Sequence, residues 1–281
     1  MPTREILAIT TGRATSDGAG VSLTRLFGGA APERFDPFLM LDEFGSDNPD
    51  EYIAGFPPHP HRGFETVTYM IEGRMRHEDH LGNVGLLQSG GVQWMTAARG
   101  VIHSEMPEQE QGLMRGFQLW LNLPAKSKLD DPDYRDFAPA EIPRTRLPSG
   151  IEAVVIAGHF SAEGVELSGA VQRPDTEPQL FDLQLPPGSA IEPEIRDGHR
   201  LLLYVFEGEI SVAGKPVTKH QLARLSEHGQ VRVSSENGAR VLLLAGRPIG
   251  EPIVQYGPFV MNSRDEIEQA LRDVREGVFT D

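Results

Sequence analysis

The chain uses one cadence twice, and that repetition constrains its fold more than any other feature. ETVTYMIEGRMRHED around Tyr69 and RLLLYVFEGEISVAG around Tyr204 each run through a tyrosine, two apolar residues, Glu and Gly before alternation resumes. A β-branched or aromatic run that stops at a glycine and restarts in alternation reads as two antiparallel strands. Its recurrence points to an internal duplication, with copies too far apart for a solenoid. Each half continues in short apolar runs, VGLLQSGGVQWMT and GFQLWLNLP in the first, VTKHQLARLS and VRVSSENGARVLLLAG in the second. That is enough for a small sandwich or barrel in each. With 30 Gly and 22 Pro in 281 residues and few 3.6-residue periods, the expected class is all-β.

A length of 281 residues suits two domains. PAKSKLDDPDYRDFAPAEIPRTRLPSG, from Pro124 to Gly150, holds five prolines and little apolar periodicity, so it reads as a linker. The expected division is 1–135 and 136–281. Only the C-terminal segment is clearly helical. Asn262 or Ser263 can cap it, Glu266 can complete a capping box with Ser263, and Gly277 ends it. Ile267, Ala270, Leu271 and Val274 form one apolar face.

The formal charge of −15, with 41 acidic and 26 basic residues spread along the chain, disfavours direct nucleic-acid binding, which asks for a basic face. No cysteine is present. Disulfides, thiolate zinc and a cysteine nucleophile are therefore excluded, and any metal must sit on His, Asp or Glu. The N-terminus has no apolar core before a cleavage site, and no run approaches 18 apolar residues, so a cytoplasmic protein without a membrane role is expected.

In PPHPHRGFE, residues 57–65, His59 and His61 are two apart and share one side of a strand, stiffened by Pro57, Pro58 and Pro60. GVIHSE repeats that spacing with His103 and Glu105. If the segments face each other, three imidazoles and a carboxylate suit Fe(II), Ni(II), Mn(II) or Cu(II), with two octahedral positions left for a ligand. A closed structural zinc site is the bland alternative, as are ordinary polar side chains. The shift from Tyr69 to Tyr204 places Glu194, Arg196 and Arg200 where the first half has His59, His61 and Glu65. Arginine cannot ligate a cation, so the second half is expected to be metal-free. His199 and His220 read as exposed or hydrogen-bonded histidines. His77 and His80, three apart, point to opposite faces and are not counted as ligands. Trp94, Met95, Phe56 and Met114 read as barrel filling.

His59-Pro60-His61 with Glu65 and then Gly73 resembles the first cupin motif, and GGVQWMTAARGVIHSE resembles the second. PHPHRGFETVTYMIEG, HEDHLGN, VQWMTAARGVIHSEMP and FQLWLNLP, preceded by FDPFLMLDEF and closed by YGPFVMN, are together similar to the pirin family over nearly the whole chain. The resemblance implies two tandem cupin jelly-roll β-barrels with a C-terminal helix. It implies a mononuclear iron, Fe(2+), in the N-terminal barrel only, held by His59, His61, His103 and Glu105, with other divalent transition metals as alternatives. In many other cupins the first-motif glutamate, here Glu65, is the ligand. The implied activity is that of a quercetin 2,3-dioxygenase, in which dioxygen opens the central ring of a flavonol and carbon monoxide leaves. Glu105, with Glu65 as runner-up, would accept the proton of the flavonol hydroxyl. The same resemblance implies an alternative, a non-catalytic metal-dependent adaptor that binds a transcription factor or metabolic enzyme. Access separates the two, because only a catalyst needs a flavonol-sized pocket beside the metal.

Overall fold

The structure, a computed structural model, describes residues 2–29 and 31–280. Among these it is β-sheet with short 3-10 turns and one α-helix, α1 (Arg264–Glu276). Two compact units form: residues 13–140 with 249–281, and residues 1–12 with 141–248. The division expected at 135/136 is thereby corrected at both chain ends. Ile6–Thr11 pairs antiparallel with Gln221–Leu225, and α1 belongs with the unit that contains His59. Both corrections concern long-range choices: a strand edge needs hydrogen-bond partners, and an apolar helix face needs a surface to bury against.

The strands that build the site are β1 (Phe56–His61), β2 (Phe64–Glu72), β3 (Arg74–Asp79), β4 (Val84–Gln88), β5 (Val92–Thr96), β6 (Val101–Pro107), β7 (Met114–Asn122) and β8 (Asp133–Phe137). One sheet has the order β1-β6-β3-β4. The other has β8-β5-β2-β7, continued by Phe38–Ser46, Val21–Gly28 and Arg13–Asp17. Alternation supplies the core: Met70, Met75 and Met114 pack with Phe44 and Tyr52, while Met95, Ala97 and Val101 form a second cluster.

The repeated Glu-Gly is a corner rather than a hairpin turn. β2 pairs with β5 and β7, whereas β3 pairs with β4 and β6, so the chain changes sheets at Gly73. In the other unit Arg200–Val212 is one bent strand. Its first part pairs with Gln221–Leu225 and its last part with Lys215–Thr218. Gly73 and Gly208 have φ of 99° and 70°, a left-handed region that glycine occupies without penalty. A side chain at Gly208 would also strike the Gly238 carbonyl. Sheet-switching bends of this kind turn the corners of barrel-like sandwiches.

The proline-rich stretch is more than a connector, because β8 lies inside it as the edge strand beside β5. Pro132 precedes β8 and Pro139 follows it, the positions at which a sheet edge tolerates proline. The helix forms as its sequence requires. Ser263 caps it by accepting from the Glu266 amide, Gly277 closes it at φ 74°, and Ile267 and Ala270 are buried beside Phe259, Met261 and Phe279. Val274, expected on the apolar face, is exposed. Among the described residues no helix is long and apolar enough to cross a membrane.

Candidate metal centre

Register brings the predicted residues together. His59 on β1 lies directly opposite His103 on β6, and His61 lies opposite Val101. The period of two then puts His59, His61 and His103 on one face. Their rings stand 4.4 to 4.9 Å apart, centre to centre, and one nitrogen from each lies within 4.8 Å of the others. A register shift between His103 and Glu105 sets Glu105 opposite Phe56 on β1, and opposite His77 on β3.

Hydrogen bonds decide which nitrogens are left over. The Pro57 carbonyl lies 2.8 Å from His59 Nδ1; it can only accept, so the proton is on Nδ1 and Nε2 carries the lone pair. His103 Nδ1 lies 3.3 Å from His77 Nδ1. Its Nε2 is buried with no hydrogen-bond partner, and so is His61 Nδ1. Burial, reinforced by the neighbouring histidines, pushes His61 and His103 well below the usual imidazole range. Neutral rings with orphaned lone pairs fit a metal ion, since the ion is the partner that such atoms lack.

Glu105 is buried on the same strand as His103, and its Oε1 lies 3.0 Å from the Thr68 hydroxyl. That hydroxyl is also 2.6 Å from Gln118 Oε1. A cavity of about 760 Å³ opens onto His59, His61 and Glu105, with Phe44, Phe56, Met75 and Trp120 among its walls and Arg25, Asp42 and Gln118 as polar groups. Its volume lies within the range of small-molecule sites.

Glu65 is placed differently. It is buried and accepts from the Thr96 hydroxyl at 2.7 Å, and it does not line the cavity. Its expected runner-up role as proton acceptor is not supported by that position. Trp94, Met95 and Met114 fill the core as expected, whereas Phe56 lines the cavity. His80 is exposed. His77, set aside with it, is buried against His103. The opposite-face argument held for the pair, but it did not say which face was inward; Met75, two residues earlier and buried, carried that signal.

Two buried cations brace the ligand strand, and neither was anticipated. Arg62, next to His61, bonds Asp273 of α1 at 2.5 Å and the Phe279 carbonyl at 3.0 Å. Lys128 Nζ reaches Gly63 O, Asn122 Oδ1 and Val260 O at 2.6 to 2.9 Å. A side chain at Gly63, φ 91°, would collide with the Val260 carbonyl. The C-terminal segment thus locks the backbone just after His61.

In the other unit Glu194 and Arg196 lie outside the named strands. Arg196 pairs with Glu177, and Arg200 pairs with Glu227 at 2.6 Å. His199, expected to be exposed or hydrogen-bonded, is buried with its Nε2 3.6 Å from Glu177. His220 meets the Tyr204 hydroxyl at 3.3 Å.

Comparison with known proteins agrees with this architecture. Residues 20–121 match the pirin family model and residues 180–280 match that of the pirin C-terminal cupin domain. A Pseudomonas aeruginosa protein provisionally named a quercetin 2,3-dioxygenase is 64% identical over 98% of both chains. A pirin-like protein of Caulobacter vibrioides is 48% identical over 99% of this chain and 100% of its own. The crystal structure of a quercetin 2,3-dioxygenase from Acinetobacter baumannii superposes with a TM-score of 0.92, at 32% identity and 99% coverage of both chains. The two family models together cover more than half of the chain, and with a cupin-type fold that carries a histidine and glutamate cluster suited to a divalent metal they place this chain in the pirin family.

Proposed function

We propose that this protein is an iron-dependent dioxygenase of the quercetin 2,3-dioxygenase type, acting on flavonol-like aromatic substrates. The observation that carries this reading is the cavity of about 760 Å³ opening directly onto His59, His61 and Glu105. An adaptor would have no need of such access. In this reading His59, His61, His103 and Glu105 hold the ion, which supplies a Lewis acid and a redox-capable centre for dioxygen chemistry. The chain's own residues do the rest. Phe56, Met75 and Trp120 offer apolar surface to a flat ring system and exclude water from it. Glu105, steadied at one oxygen by Thr68, would take the proton of the flavonol hydroxyl at its other oxygen once that oxygen has left the ion.

The test is anaerobic reconstitution with Fe(II), then oxygen uptake and carbon monoxide release with quercetin, comparing the parent with His59→Ala. Both signals in the parent and neither in the variant are expected. An iron-loaded parent that consumes no oxygen would overturn the catalytic reading.

A further inference from the structure

Behind the metal centre, away from the cavity, runs a line of polar groups: His77 and Gln93, both buried, then Tyr134 and Asp136, both half-buried. Its far end fixes its direction. Gln93 and Asp136 are cross-strand partners on β5 and β8, and the Gln93 amide nitrogen lies 3.2 Å from Asp136 Oδ1 and 3.3 Å from the Tyr134 hydroxyl. Tyr134 donates its own proton to Asp136 Oδ2. A carboxylate only accepts, so the amide edge facing it must be the NH2. Gln93 Oε1 is then turned the other way, buried and without a hydrogen-bond partner.

The atom that matches it is His77 Nε2, also buried and without a hydrogen-bond partner, on the ring that stacks against Tyr134 at 4.5 Å. The Gln93 amide, one of the groups that raise the proton affinity of this imidazole, offers in that oxygen the acceptor that Nε2 lacks. An acceptor there requires His77 to carry its proton on Nε2. His77 Nδ1 is then a bare lone pair, and it lies 3.3 Å from His103 Nδ1. Two lone pairs would repel at that distance, so His103 must carry its proton on Nδ1 and present an unprotonated Nε2 to the cluster.

We infer that Asp136, Gln93 and His77 form a directional hydrogen-bond relay that sets the tautomer of His103, making His77 and Gln93 positioning residues for the metal centre. The inference rests on the metal reading proposed above for its purpose, but the tautomer is a property of the metal-free protein. Outer partners of this kind typically change metal affinity by about 10- to 100-fold when removed.

The experiment is long-range proton–nitrogen NMR on the metal-free, histidine-labelled full chain, followed by calorimetric titration with Ni(II). His103 is expected to be protonated at Nδ1 and His77 at Nε2. His77→Phe should weaken Ni(II) binding about 10- to 100-fold, and Gln93→Leu should leave His77 populating both tautomers. His77→Gln, whose amide oxygen can accept the same proton, should recover much of the lost affinity. His103 protonated at Nε2 in the parent, or parental Ni(II) affinity in His77→Phe, would overturn the relay. If the parent shows the stated tautomers and binds no Ni(II), the relay stands and the metal reading fails.

Discussion

In one unit, three imidazoles converge beneath a cavity of about 760 Å³. In the other, the region reached by the Tyr69-to-Tyr204 shift holds Glu194 and Arg196 at a cavity of about 390 Å³, with Arg196 and Arg247 both drawn to Glu177. The pairing pattern is similar: Val233–Ser235 lies between Ser189–Ile191 and the far end of the bent strand, as β6 lies between β1 and β3. That strand is three residues long and bears no imidazole. One frame therefore supports a lone-pair cluster in one case and an ion-pair network in the other. Side-chain chemistry and the length of the facing strand together decide where a cation can go.

The largest expected effect comes from trying to transfer the centre. His103→Ala should abolish stoichiometric metal binding, whereas the double variant Glu194→His with Arg196→His should leave it at one ion per chain, because no donor strand faces the new histidines. Elemental analysis after reconstitution measures both. A second bound ion in the double variant would break the comparison.

Next are two buried cations, one taken from each unit. Arg4 donates to the carbonyls of Gly229, His199, Ser226 and Arg196 at 2.8 to 3.0 Å, and Lys128 serves three acceptors in the unit that holds the histidines. Arg4→Met should cost about 3 kcal/mol by leaving buried carbonyls without a donor, read as a lower midpoint in urea denaturation. Unchanged stability would show that the carbonyls find other partners.

The smallest effect separates the two cations by pH. Burial, opposed by Glu251, Glu266 and Asp36, lowers Lys128 to about 7. The folded pKa is thus below the unfolded one, so between pH 7 and about 10 the unfolded chain binds more protons and stability rises with pH. Melting temperatures of the parent relative to Lys128→Met should climb across that window. A flat difference would mean that its three acceptors hold the ammonium at its ordinary pKa. Arginine titrates too high to show such a slope.

Much of this was legible from residue spacing alone. His59 with His61, and His103 with Glu105, share faces because strand geometry alternates with period two. The Ser263 cap and the Gly277 stop follow from local hydrogen bonding and a left-handed φ. The second-half positions carry Arg196 and Arg200, whose guanidinium groups pair with Glu177 and Glu227. What tertiary structure alone decided were matters of partnership: that Ile6–Thr11 pairs with Gln221–Leu225, that α1 joins the unit of the metal cluster and braces Arg62, that Glu65 turns to Thr96, and that His77 meets His103. Periodicity sorts a strand's residues into two faces. Which face is buried, and against which distant strand, depends on the pairing that satisfies the most backbone and apolar surface at once, a property of the whole chain that no short stretch contains.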